Sequence, residues 1–337
     1  MKKQRYSIKR GIAVILLMTV LCIAVGVLSI YVGKMNLSPL EVFQTILGKG
    51  SEKQNLIVFE FRLPRITLAL LVGIGMGVSG IIMQSLLRND MASPGTLGIS
   101  SGSGLFVLVY IAIFSASGIS VKYVLPLLAF IGGITAAVLI FILSYRRGRE
   151  VSPTGLILTG VALGNGYSAL SLMITLKLDK TQMEFAQRWN AGSLWGDSWE
   201  YLKILAPWTF LFVGYAFYKS RMINTLHLGN QTATGLGLAV KKEYIGLLTA
   251  AVALSSGSVA LGGNFFFVGM ICPHMSRKLV GPNHKLLIPA SGLCGGIIVL
   301  LADTITRTIS FGADIPTGII ITVLSIPYFL YLLSKSN

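Results

Sequence analysis

The side chains that could do chemistry in this chain are few, and they form no familiar catalytic or metal-binding pattern. The three histidines, His227, His274 and His284, lie far apart and lack the close spacing of metal ligands. No stretch matches G-x-x-x-x-G-K-[ST], so the sequence contains no P-loop for ATP. No Ser/His/Asp set or carboxylate pair stands out. These observations argue against an enzyme, and we expect no catalytic residue, metal site or cofactor in the chain.

Glycines recur at helical spacing in two apolar stretches. Gly73 and Gly77 form one G-x-x-x-G pair, and Gly292 and Gly296 form another. Small residues at this spacing let helix backbones approach closely in lipid, so both pairs predict helix packing contacts. The run 75–80 also matches the dinucleotide-binding spacing G-x-G-x-x-G, but that motif needs a preceding strand in a soluble unit. Because these glycines lie inside an apolar run, cofactor binding is not expected.

The elements that must carry these residues are membrane helices. Of 337 residues, 53% are hydrophobic and only 12% are charged, with a mean hydropathy of +0.75. Soluble domains have about 25% charged residues. The sequence therefore predicts an all-α polytopic membrane protein with a single transmembrane domain over 1–337. Ten segments approach the length of a span: 12–32, 66–87, 96–115, 123–144, 153–174, 203–218, 244–262, 266–277, 286–306 and 316–333.

The charge distribution predicts the orientation of these spans. The chain has 28 Lys and Arg and 12 Asp and Glu, for a net charge of +16. Ten spans place both termini on one side, and that side holds 17 of the basic residues against 3 acidic residues. The bias predicts that both termini are cytoplasmic. It also accounts for the net positive charge, so we expect no nucleic-acid partner. Segments 34–65 and 175–202 are then extracytoplasmic, and segment 220–243 is cytoplasmic.

The predicted bilayer centre lacks ionisable side chains. Ion-coupled carriers usually place such groups, or a broken helix, near the midplane. Their absence argues weakly against an autonomous secondary carrier or channel, which stays open as an alternative. A large apolar bundle without its own energy source needs a driving partner. Composition and spacing thus indicate a permease-like membrane subunit of unknown substrate.

Several longer motifs are more specific. R-L-P-R starts at residue 62, and Q-S-L-L-R-N-D-M-A-S-P-G-T-L-G starts at residue 84. Later runs are F-V-G from 267 followed by P-H at 273, A-D-T-I-T-R from 302, and P-T-G from 316. In order and spacing these resemble the membrane subunits of bacterial ABC importers for ferric siderophores, haem and cobalamin, the FecCD permease family. The resemblance covers about residues 12–333.

The resemblance implies a function and a set of partners. The chain would be a multi-pass permease subunit in the bacterial cytoplasmic membrane, importing iron(III)–siderophore complexes, with haem or cobalamin as open alternatives. A second permease subunit would complete the path, and a heterodimer is favoured over a homodimer. Two separate ABC ATPase subunits would bind ATP and Mg²⁺. An extracytoplasmic siderophore-binding protein would deliver the cargo, and membrane lipid would surround the spans.

The resemblance also implies a docking surface for the binding protein, formed by Arg62, Arg65 and Arg307. A planar guanidinium can hold a carboxylate with two parallel hydrogen bonds, which suits this role. The alternative for Arg62 and Arg65 is anchoring at the membrane interface. The alternative for Arg307 is an ion pair with Asp303, four residues earlier on the same helix.

The ATPase-coupling surface is implied for segment 220–243, with an ordinary surface loop as the alternative. Helix-forming residues interrupted by glycines predict two short helices with a sharp turn. The coupling residues by resemblance are Leu228, Gly229, Ala233, Gly235, Leu236 and Gly237. The chain departs from the family where an acidic residue is usual near Asn230. Five residues near the end of the eighth span are expected to form a solvated inner loop: Arg277, Lys278, Asn283, His284 and Lys285.

Overall fold

A computed structural model describes residues 7–33, 37–114, 121–144, 153–195, 197–308 and 315–335. These ranges contain no β-strand; they form fifteen α-helices and one π-helical segment, Leu56–Arg62. The helices, numbered in chain order, are α1 (Ile8–Tyr31), α2 (Pro39–Ile46), α3 (Glu52–Asn55), α4 (Leu63–Leu87), α5 (Ile99–Phe114), α6 (Val121–Ser144), α7 (Pro153–Thr175), α8 (Lys180–Asn190), α9 (Trp199–Tyr218), α10 (Ser220–His227), α11 (Asn230–Gly235), α12 (Val240–Gly262), α13 (Phe266–Val280), α14 (His284–Thr308) and α15 (Thr317–Lys335).

Each of the ten apolar segments coincides with one of these helices. By length and apolarity, six helices in the described ranges could cross a membrane: Ile8–Tyr31, Glu52–Leu87, Leu127–Ser144, Thr154–Thr175, Val240–Gly262 and His284–Thr308. Two shorter apolar helices cover Ile99–Ile113 and Thr317–Tyr331. The remaining two are α9, which at 20 residues is longer than the segment 203–218 suggested, and α13, which has 15 residues.

Some of the predicted charge pattern lies outside the described residues. This applies to Lys2, Lys3, Arg5, Arg146, Arg147, Arg149, Glu150 and Asp314. The described helices alternate between two ends of the bundle. We call the end where α4 begins and α14 finishes the predicted outer end. The end where α4 finishes and α14 begins is the predicted inner end.

Capping residues start the short helices at the predicted outer end. Ser38 accepts a hydrogen bond from the backbone of Glu41, and the Glu41 side chain accepts one from the backbone of Ser38. Asp179 and Gln182 make the same reciprocal pair at the start of α8. Each pair satisfies backbone N–H groups that a helix start otherwise leaves without partners. These helices lie in the segments 34–65 and 175–202.

The central element of the bundle is α4, which buries most of its side chains and packs against α9, α12, α13 and α14. Its contact with α14 is backbone against backbone. A Cβ on Gly73 would overlap the carbonyl of Gly295, and a Cβ on Gly77 would overlap the carbonyl of Ser291. Only residues without a side chain permit so close an approach. The packing face on α4 is thus built by its glycines.

Of the two predicted glycines of α14, Gly296 lies in this contact, because a Cβ on Gly73 would also overlap the Gly296 Cα. A Cβ on Gly296 itself would be at ordinary van der Waals spacing from Leu70 and Ile74. Gly292 lies beside the contact, where an added Cβ would come tightly against the side chain of Val78. Gly295, which the spacing did not indicate, makes the closest backbone approach on α14, since its own Cβ would overlap the carbonyl of Gly73.

Candidate functional site

Two polar clusters stand out, one at each end of α4. At the predicted outer end, Asp303 has no exposed surface and accepts hydrogen bonds from two arginines. Arg65 Nε lies 3.0 Å from Asp303 Oδ1, and Arg307 Nε lies 2.9 Å from Asp303 Oδ2. Arg65 Nη1 also lies 3.2 Å from Asp197 Oδ2. The buried Asp303 carboxylate therefore joins α4 to α14, and Arg65 joins both to the segment before α9 through Asp197.

Arg62 completes this cluster from the π-helical segment that leads into α4. It is 5% exposed, and its Nη1 donates to the backbone carbonyls of Ile30 and Tyr31 at the end of α1. Arg307 Nη2 donates to the hydroxyl of Ser29, which also lies on α1. We call Arg62, Arg65, Arg307, Asp197 and Asp303 the outer arginine cluster.

The outer arginine cluster borders an open cavity of about 350 Å³. Arg188, which the sequence reasoning did not single out, contributes a further guanidinium to its wall. The side chains of Arg65 and Arg307 are 25% and 14% exposed, so both are largely engaged within the chain. The Arg307–Asp303 pair considered from the sequence is present. Docking of a partner at these arginines stays a prediction.

The second cluster is at the predicted inner end, in segment 220–243, which we call the coupling segment. It folds as α10 and α11 before α12 begins. The turn between the short helices lies at Gly229, whose φ is +120°, and the turn into α12 lies at Gly237, whose φ is +80°. Such angles favour glycine because a Cβ would clash with the backbone. Gly235 is the last residue of α11, and it has open space around it.

Apolar side chains project from the coupling segment. Leu228 and Leu236 are 67% and 69% exposed, whereas Ala233 between them is fully buried. Leu226, near the end of α10, is also buried. Both exposed leucines therefore flank a short helix whose inner side is held by the rest of the chain. Each therefore exposes an apolar side chain at the predicted inner end.

Polar contacts attach the coupling segment to the bundle. Arg88, the left-handed residue that ends α4, donates through Nη2 to the carbonyl of Leu226 and to Asn230 Oδ1, at 3.3 and 2.5 Å. Asn230 thus engages an arginine where the family usually carries an acidic residue nearby. Lys219 Nζ lies 2.8 Å from Glu243 Oε1, and this hydrogen bond raises the pKa of Lys219.

The expected solvated inner loop needs correction at His284. This residue starts α14 and is 3% exposed, with both ring nitrogens 2.6 Å from polar side chains. Arg277 and Lys278 lie within α13 rather than in a loop. Hydropathy treats an isolated histidine between polar residues as surface. Only the packing of distant segments shows that His284 is internal.

Within the described residues, neither polar cluster is a metal centre. In the part of the chain that the structure describes, no group of three or more His, Cys, Asp or Glu residues is arranged to hold a metal ion. The chemistry available at either cluster is hydrogen bonding and ion pairing by arginines, amides and carboxylates. Such groups can recognise and position a partner molecule.

Comparison with known proteins gives concordant matches. The sequence model of the FecCD transport family matches residues 21–335. The iron(3+)-hydroxamate import system permease protein FhuG of Bacillus subtilis (strain 168) is 43% identical over 321 residues, 94% of this chain and 95% of that protein. The Fe(3+)-citrate import system permease protein YfmE of the same strain is 39% identical over 333 residues, 99% of this chain and 98% of that protein.

A solved structure matches the fold. It is described as an inward-facing conformation of a metal-chelate type ABC transporter, and it superimposes with a TM-score of 0.84 at 29% identity. The match covers 96% of this chain and 99% of the other. The similarity thus extends over nearly the whole chain.

Proposed function

The chain belongs to the FecCD transport family, and from this membership we infer that it is the membrane-spanning permease subunit of an importer for iron(III)–siderophore complexes. The observation that carries the inference is the 43% identity, over nearly the full length, to a permease named for iron(3+)-hydroxamate import. The family transports solutes and is not a family of enzymes. We therefore expect this chain to catalyse no reaction at iron and to form part of the transport path across the membrane.

ATP hydrolysis is assigned to partners. The sequence has no P-loop, so two separate ABC ATPase subunits would bind ATP and Mg²⁺. A second permease chain would close the other half of the path, and a different chain is favoured over a second copy. An extracytoplasmic siderophore-binding protein would deliver the cargo.

We place the protein in the bacterial cytoplasmic membrane with about ten spans and both termini in the cytoplasm. The excess of basic residues on one side supports this orientation. The grouping of charged contacts is consistent with it. The outer arginine cluster joins segments predicted to be outside, whereas Arg88, Asn230 and the Lys219–Glu243 pair join segments predicted to be inside.

The outer arginine cluster would be the docking site for the binding protein. Arg65, Arg188 and Arg307 line one open cavity, where an arriving carboxylate would meet several guanidinium groups at once. Asp197, whose side chain is 43% exposed, already pairs with Arg65. A docking carboxylate would add to that pair or displace Asp197 from it. Such contacts mainly orient and accelerate association rather than supply affinity.

The coupling segment would bind an ATPase subunit. Leu228 and Leu236 offer an apolar contact, and the glycine turns at Gly229 and Gly237 shape the segment. ATP binding and hydrolysis would move this segment as a rigid body. The membrane path would then alternate between outward and inward access, with the cargo released on the cytoplasmic side.

Uptake of radioactive iron(III) trihydroxamate by cells lacking this chain, with and without restoration of the gene, tests the function. We expect uptake to be lost and then restored, while uptake of haem and cobalamin stays at the level of the parent strain. Unchanged iron uptake would contradict the proposal if no related permease is present. A selective loss of haem or cobalamin uptake would reassign the substrate.

A further inference from the structure

A series of hydrogen bonds, buried at Ser85 and His284, links the coupling segment to two membrane helices. Asn224 lies on α10, His284 is the first residue of α14, and Ser85 lies in the last turn of α4. The His284 ring is between the other two: Nδ1 lies 2.6 Å from Asn224 Oδ1, and Nε2 lies 2.6 Å from Ser85 Oγ. Three elements that are distant in the sequence therefore meet at one imidazole.

The backbone determines which groups donate. The amide oxygen of Asn224 also accepts from the backbone N–H of His284 at 3.1 Å, so Oδ1 faces the ring and Nδ1–H donates to it. In a neutral ring Nε2 is then an acceptor, and the single Ser85 hydroxyl proton is shared between this nitrogen and the carbonyl of Ile81, 2.7 Å away. Because Ser85 and His284 are almost fully buried, breaking either bond leaves a polar group without water to replace its partner.

Helices α4 and α14, which meet at His284, are in contact near both ends and in the middle. At the inner end they share the Ser85–His284 bond, and at the outer end they share the Arg65–Asp303 pair. Between these ends the glycine backbones of α4 and α14 are in contact. Each helix has 25 residues, which is about 37 Å at 1.5 Å per residue. Because the two helices are bonded near both ends and closely packed in the middle, we expect them to move together as one rigid unit.

We propose that Asn224, His284 and Ser85 are positioning residues that attach the coupling segment to the α4–α14 pair. This rests on the proposed role of the segment in binding an ATPase subunit. A displacement of α10 cannot leave the helix pair behind without breaking the two hydrogen bonds from His284 to Asn224. The pair carries the displacement to the outer arginine cluster, where Arg65 near the start of α4 pairs with Asp303 near the end of α14. Movement driven at the inner face thereby reaches the docking face through two helices.

The test uses the complete transporter, with both permease chains, the ATPase subunits and the binding protein, reconstituted in proteoliposomes. The measured quantity is iron(III) trihydroxamate imported per ATP hydrolysed. We expect Asn224→Ala and Ser85→Ala to lower this ratio by about three- to tenfold, the scale on which coupling residues alter communication between sites. ATP hydrolysis and the amount of ATPase that co-purifies should fall much less. The double variant should lose no more than the stronger single variant, because both changes break one chain of bonds.

Three further variants separate positioning from folding. Asn224→Asp keeps an acceptor oxygen for His284 and should restore most of the ratio that Asn224→Ala loses. Lys285→Ala, at the exposed neighbour of His284, and Thr249→Ala, at an exposed hydroxyl bonded within α12, should leave the ratio unchanged.

Two outcomes would overturn the proposal. One is an unchanged ratio in Asn224→Ala and Ser85→Ala. The other is a parallel loss of hydrolysis, transport and bound ATPase, which would show that these residues only maintain the fold. If the wild-type transporter imports no iron(III) trihydroxamate, the proposed function fails instead, and that result is seen before any variant is made.

Discussion

At the scale of single residues, Asp303 determines the geometry of the predicted outer end. It is fully buried, and it is the shared acceptor of Arg65 and Arg307. A buried carboxylate loses its hydration, and among the described residues the two guanidinium groups compensate for that loss. In turn, both arginines depend on it, since each would otherwise be a largely buried cation without this counterion.

Replacing Asp303 should therefore be costly. We expect Asp303→Ala to lower the free energy of unfolding by about 3–5 kcal/mol, the range for breaking a buried ion pair on one side. Asp197→Ala is the matched control, because Asp197 is partly exposed and its pair with Arg65 is worth about 0–1 kcal/mol. Thermal unfolding of the two variants in the same detergent compares them. Equal shifts would mean that Asp303 is not the centre of the cluster.

The partners of these residues could not be predicted from the sequence. Arg65 bonds to Asp197 and Asp303, which are 132 and 238 residues away along the chain. Charge counting identifies the side of the membrane on which each group lies, but it gives no pairing between segments. The local pair of Arg307 with Asp303 was accessible, because a spacing of four residues on a helix brings two side chains together.

At the scale of elements, the contact between α4 and α14 shows what spacing can and cannot predict. The glycine pairs indicated correctly that these stretches are helices with small-residue faces. On α14 the spacing indicated Gly296, whose Cα lies in the backbone contact, but it did not indicate Gly295, which makes the closest approach. Successive helix residues are about 100° apart, so spacing alone does not show which residues of a small-residue stripe face the partner helix. The position of the partner helix decides which glycines are in contact.

A methyl group at the middle of this contact should be destabilising. We expect Gly77→Ala to lower the free energy of unfolding by about 1–3 kcal/mol, the usual cost of overpacking, because the new Cβ would overlap the Ser291 carbonyl. Alanine favours helix over glycine, so any loss must come from the contact. Gly166→Ala on α7 is the control, since open space surrounds that position. If the two variants unfold at the same temperature, the close approach of α4 and α14 is not stabilising.

At the scale of the whole molecule, the helical type and the positions of the apolar segments were the most predictable features. Each of the ten apolar segments is a helix, because apolar runs of this length have few alternatives in lipid. For the coupling segment two short helices with a glycine turn were expected, and the structure has α10 and α11 with positive φ angles at Gly229 and Gly237. His284 was misjudged because burial of one polar residue depends on three separate segments.

The exposed leucines of the coupling segment separate assembly from folding. Because Leu228 and Leu236 are largely exposed, Leu228→Ser with Leu236→Ser should leave the unfolding temperature of the isolated chain nearly unchanged. The same double variant should retain far less ATPase on co-purification, since apolar contact area at the predicted inner face is removed. Leu226→Ser is the contrasting variant: Leu226 is buried, so this change should lower the unfolding temperature itself. Full retention of the ATPase by the double variant would place the coupling contact elsewhere on the inner face.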